Sequence, residues 1–169
     1  IDPNLANSNY NLGIIYKELG DYKKAKSLYN KVIEIIPSHV ETLNNLGIIH
    51  EELGEIEKAK ECYKKVITIN PNHIIALWNS HILASDIEEA LLFLKKICEI
   101  DQKHIKAKLM ISGLEAYKGN FNLYNLLLDS ENYNHPYIRS LKWIFSLPKM
   151  PKIFFNRWDF FDATIALSD

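Results

Sequence analysis

The chain has 169 residues, 47% of them apolar and 24% charged, the composition of a folded protein and not of a disordered one. With 20 basic and 21 acidic side chains the net charge is -1, so no global positive field recruits nucleic acid or an anionic membrane. Apolar runs such as H-I-I-A-L-W at 73–78 and A-L-L-F-L at 90–94 are too short to span a bilayer.

The predicted elements begin with a duplication. Y-N-L-G-I-I-Y-K-E-L-G-D-Y-K-K-A at 10–25 returns as N-N-L-G-I-I-H-E-E-L-G-E-I-E-K-A at 44–59. Aligned over residues 6–39 and 40–73, 18 of 34 positions are identical by direct count. Each unit reads as two amphipathic helices. In the first unit these are A-N-S-N-Y-N-L-G-I-I-Y-K-E-L and Y-K-K-A-K-S-L-Y-N-K-V-I-E-I-I, with apolar residues three and four apart. Gly20 and Gly54 supply the turn between helices, and Pro37 and Pro71 end the second helix. Pro3 stands at the same interval, and I-D-P-N at 1–4 repeats the closing I-I-P-S and I-N-P-N. We therefore expect the array to be entered in mid-repeat and the chain to be part of a longer protein.

A third unit follows with three residues deleted at its turn. H-I-I-A-L-W-N-S-H-I-L-A-S is its first helix and D-I-E-E-A-L-L-F-L-K-K-I-C-E-I-D its second. A fourth, H-I-K-A-K-L-M-I-S-G-L-E-A-Y-K-G-N-F-N-L-Y-N-L-L-L-D, keeps Gly119 at the turn and little else. The pattern places an array over residues 1–130, with units 6–39, 40–73, 74–104 and 105–130. Residues 131–169 form a further helical segment that caps the array or leads into another domain.

Period and residues together resemble the tetratricopeptide repeat family. Its pattern L-G-x2-Y, A-x3-F and a closing P appears as Leu12, Gly13, Tyr16, Ala25, Tyr29 and Pro37, then as Leu46, Gly47, His50, Ala59, Tyr63 and Pro71. In the third unit His81 takes the place of the Gly and Ala84 that of the Tyr. The resemblance implies an all-α fold: a right-handed superhelix of about four antiparallel helix pairs plus C-terminal helices. First helices would line a concave groove that holds a protein or extended peptide, as in a scaffold or adaptor.

The residue before the consensus Leu should face that groove, and it is Asn11, Asn45 and, in the third unit, Asn79. An amide both donates and accepts, so a column of them can follow a peptide backbone whatever its side chains are. The column resembles the asparagine ladder of the O-GlcNAc transferase superhelix, and it ends at Met110. Neighbouring groove positions are Tyr10, Ile14, Lys17, Asn44, Ile48, Glu51, Trp78 and Ile82. A large rigid aromatic makes Trp78 the candidate hot spot. Family members that grip a C-terminal carboxylate need Lys and Arg where this chain has Tyr10, Ile14, Asn44 and Ile48, so recognition of chaperone C-termini is not expected.

No catalytic constellation emerges. His39, His73 and His104 each open a first helix, so they lie along the array and do not converge on a metal. The H-E-E-L-G at 50–54 lacks the second His of a zinc-protease helix, and no phosphate-binding glycine loop or G-x-S-x-G is present. Cys62 and Cys98 fit neither metal spacing nor a disulfide framework, so a reducing, cytoplasmic setting is expected, without metal or cofactor. The tail F-F-N-R-W-D-F-F-D-A-T-I-A-L-S-D resembles the lead-in helix of macrocin O-methyltransferase-like enzymes, which use S-adenosylmethionine. That resemblance implies a second reading, in which the repeats recruit substrates for a larger methyl- or glycosyl-transferring enzyme. The same aromatic tail is also a candidate surface for self-association.

Overall fold

The computed structural model describes residues 3–118. The aromatic tail, Gly119 and the segment 131–169 lie outside the described residues. Among the described residues seven helices follow one another: α1 (Pro3–Glu18), α2 (Tyr22–Ile35), α3 (Val40–Glu52), α4 (Ile56–Ile69), α5 (Ile74–Ile82), α6 (Ile87–Ile100) and α7 (Ile105–Tyr117). No strand occurs among the described residues. The chain divides after Gln102 into two units, and of the second only α7 and its start are described.

Within the first unit, α1 pairs with α2, α3 with α4 and α5 with α6, while α2 packs on α3 and α4 on α5. Both α3 and α5 are therefore joined to their own second helix and to the second helix before it. The turns explain the register. Gly20 and Gly54 sit at φ 75° and 73°, the left-handed region where a Cβ is disfavoured. There the Asp21 and Glu55 N–H groups donate back to the carbonyls of Tyr16 and His50 at 2.9 and 2.7 Å, closing the exposed ends of α1 and α3. The third pair has no such glycine. Its first helix runs nine residues where α3 runs thirteen, and Asp86 starts α6 by accepting the Glu89 N–H at 2.8 Å.

Three first helices share an unusual cap. His39, His73 and His104 accept, through Nδ1, the N–H of Thr42, Ala76 and Ala107 at 3.2, 3.1 and 3.1 Å. An unprotonated imidazole nitrogen thus does the work that Ser, Asp or Asn does at most helix starts. Their one-per-unit spacing serves capping, and their Nδ1 atoms are engaged.

The core is a series of similar layers. Ala25, Tyr29, Leu46 and Ile49 form one buried cluster, and Leu43, Ala59, Tyr63, Val66, Ala76 and Leu83 another. The reason for Gly13 and Gly47 is steric. A Cβ on Gly13 would stand 2.4 Å from the Tyr29 ring, and one on Gly47 would stand 2.4 Å from the Tyr63 ring. The third pair reverses the sizes. His81 is buried in the glycine's place, and the buried residue on the second helix is Leu94 in place of Tyr. A larger residue on the first helix thus accompanies a smaller one on the second, and both are buried.

Candidate functional site

The first helices α1, α3 and α5 carry all eleven candidate groove residues, and the structure gives them unequal roles. Tyr10 and Ile14 pack against the cluster around Tyr29 and Leu46, and Ile48 and Ile82 pack against the cluster around Tyr63. Tyr10 lies 5.9 Å from the Tyr29 ring and 5.1 Å from the His39 ring, centroid to centroid. It is half-buried, and burial pushes its hydroxyl pKa up.

The three asparagines are not equivalent. Asn11 is exposed on α1. Asn45 is buried and ties α3 to α1. Its Oδ1 accepts from Lys17 Nζ at 3.1 Å, and its amide tempers the upward shift of the Tyr10 hydroxyl. Asn79 is half-buried, and its amide tempers the upward shift of the Tyr63 hydroxyl of the preceding unit. That hydroxyl in turn donates to the Glu51 carboxylate. Burial raises the Glu51 carboxyl above its ordinary range, and the Tyr63 bond pulls it partly back. Tyr63 itself is driven far up, by burial first and by Glu51 second. Glu51 and Tyr63 thus form a polar link between α3 and α4.

Asn44 differs again. It is buried, and its Oδ1 has no hydrogen-bond partner within the protein. An acceptor in that state costs free energy until something donates to it. Trp78 is half-buried, with its ring edge-on to His81 at 4.5 Å, and its backbone carbonyl accepts from His81 Nδ1.

Sequence reasoning missed one group altogether. Glu55, at the start of α4, receives Lys26 Nζ of α2 at 2.7 Å, His50 Nδ1 of α3 at 2.5 Å and Lys58 Nζ at 3.4 Å. These partners, Lys26 before His50, hold its carboxyl down to about 2. The pattern A-K-S-L-Y repeated as A-K-E-C-Y showed the lysine without its partner, because the partner comes from the next unit. Among the described residues no group of three or more His, Cys, Asp or Glu side chains is placed to hold a metal ion. No helix there is long and apolar enough to cross a membrane.

Residues 4–72 match the family model of the tetratricopeptide repeat. Those residues are tetratricopeptide repeats. Solved structures extend the likeness in fold over more of the chain. A crystal structure of the MamA protein superposes with a TM-score of 0.71 at 17% identity, covering 98% of this chain and 89% of MamA. A tetratricopeptide repeat protein from Parabacteroides merdae gives 0.67 at 22% identity, over 96% of this chain and 75% of that one. The first tetratricopeptide repeat domain of Spaghetti (RPAP3), solved bound to the HSP90 peptide SRMEEVD, gives 0.63 at 16% identity, over 70% and 97%. At these identities the likeness is one of fold: all-α, of the tetratricopeptide type. No curated protein matches the chain.

Proposed function

We propose that the tetratricopeptide repeats of this chain form a protein–protein interaction module whose first helices hold an extended segment of a partner. The observation that carries this reading is the polar row along α1, α3 and α5. Asn11 is exposed and Asn79 is half-buried. Peptide N–H and C=O groups are the complement such a row calls for. A domain of the same fold has been solved with a peptide bound, and tetratricopeptide repeats are in general interaction modules and not catalysts. We assign this segment no turnover.

The row is not a ladder of three identical rungs. Asn11 and Asn79 are the amides proposed to meet the peptide, and Asn45, held by Lys17, sets the distance between helices. Trp78 supplies the apolar anchor beside Asn79. Tyr10, Ile14, Ile48 and Ile82 shape the floor, while Lys17 and Glu51 are held by bonds to Asn45 and Tyr63. With Tyr10, Ile14, Asn44 and Ile48 where a carboxylate grip would need cations, the proposed ligand is an internal stretch and not an acidic C-terminus.

The test is selection from a displayed library of random peptides, followed by titration of the best binder. Asn11→Ala together with Trp78→Ala should weaken binding by tenfold or more, about 1.4 kcal/mol, with helicity unchanged. Binding that is untouched by both changes would remove the first helices as the site.

A further inference from the structure

The histidines of the first unit differ in what Nδ1 does. His50 and His81 present it to acceptors, the Glu55 carboxylate and the Trp78 carbonyl, so a further proton on either ring leaves those bonds in place. His39 and His73 use it as an acceptor for a backbone N–H. A proton added there turns the acceptor into a donor facing a donor, and sets a positive charge at the positive end of a helix.

The two caps are not equally exposed to that conflict. Around His39, the Thr42 hydroxyl lies 2.9 Å and the Glu41 carboxylate 3.5 Å from Nδ1, and both can accept from a protonated ring. Tyr10 of α1 lies against the same ring, and the last turn of α2 adds the exposed Glu34. His73 has Ala76 in the place of Thr42 and Ile75 in that of Glu41. The first turn of α5 holds no acidic residue, and the last turn of α4 holds no charged one. The end of α6, which packs on α5, carries Glu99, paired with Lys96 at 3.0 Å, and Asp101. Neither bonds the His73 ring. Helix α5 is also the shortest of the seven described, and the bonds that close its far end, from the Leu83 and Ala84 N–H groups, are 3.3 Å long. The matching bonds after α3 are 3.1 and 2.9 Å.

We infer that His73 makes α5 an acid-sensitive element of the array, released at its start when the ring takes up a proton, while Thr42 and Glu41 hold the start of α3 over the same range. The unfolded ring binds a proton freely and the capping ring only by breaking its bond. The contribution of the cap is therefore present while the ring is neutral and is lost as pH falls through roughly 8 to 5.

Melting temperature against pH over that range tests this. The wild type should lose about 2–4 °C more than His73→Asn, whose amide caps without titrating. The other histidines titrate in both proteins, so the difference isolates this cap. His39→Asn should follow the wild type. Ile75→Glu, at an exposed position, gives His73 the carboxylate that His39 has and should flatten the curve as His73→Asn does. Parallel curves for wild type and His73→Asn overturn the inference, and so does a His39→Asn curve as flat as that of His73→Asn. A measurement on the unaltered chain stands beside these: the nitrogen-15 shift of His73 Nδ1 should be that of an unprotonated ring nitrogen at about pH 8, with the Ala76 amide shifting as the ring titrates. An Nδ1 that already carries the proton there removes the cap and the inference together.

Discussion

At Gly47 the packing of a whole helix pair rests on one missing methyl group. The Tyr63 ring occupies the space a Cβ would take, 2.4 Å away, and neither the ring nor the backbone of α3 has room to retreat in a filled core. Gly47→Ala should therefore cost about 1–3 kcal/mol of unfolding free energy, read from urea denaturation. Gly54 meets nothing within 4 Å, yet its φ of 73° is left-handed. Gly54→Ala should cost on the order of 1 kcal/mol through backbone strain alone. Pairing Gly47→Ala with Tyr63→Leu should recover part of the first loss and none of the second. That rescue reproduces the trade the third unit already makes with His81 and Leu94. The glycines were legible in the sequence as a repeated residue. That Gly47 answers a ring and Gly54 a dihedral angle became visible only with the turns and the core in place.

Among the elements, the first helices are the ones whose starts are most chain-specific. His73 caps α5 with a bare Nδ1, and α5 is only nine residues long, so a lost cap falls on few remaining hydrogen bonds. His73→Ala should lower stability by about 1 kcal/mol and His73→Asn should restore most of it, measured by thermal unfolding monitored at 222 nm. Position alone marked these histidines as helix starts. Their chemistry as acceptors was not readable there, since it depends on the ring turning back onto the i+3 amide. The asparagines followed a similar course. Their thirty-four-residue interval was plain in the sequence, but Asn45 is buried and bonded to Lys17 of α1 while Asn11 is exposed. Identical residues in successive repeats differ because the side chains packed around them differ.

Across the first unit of the molecule, stability is passed between neighbouring repeats, and Glu55 is where that passage carries charge. Lys26 belongs to the first repeat, and Glu55 and His50 to the second. The carboxyl is held down to about 2, against an ordinary 4.5. A group whose folded pKa lies below its unfolded one stabilises the fold above the unfolded value and loses that contribution as pH falls. Between pH 4.5 and about 2 the wild type should thus lose melting temperature faster than Glu55→Gln, whose amide does not titrate. Parallel curves for the two proteins over that window would show that the cluster carries no linkage. Glu51 acts in the opposite sense. Its raised carboxyl favours the neutral form in the fold, so its ionisation at higher pH opposes folding.

The sequence by itself determined the helix pairs, their period of thirty-four, the two glycine turns and the family, because a repeat that needs its neighbour must state the same apolar pattern each time. Tertiary structure alone decided which copy of a repeated residue is covered. Leu46 is buried and Leu12 is not, Asn45 is bonded and Asn11 is exposed, and Lys26 finds Glu55 across a repeat boundary. Local sequence sets what each helix can bury, but only the stacking order sets which helix arrives to bury it.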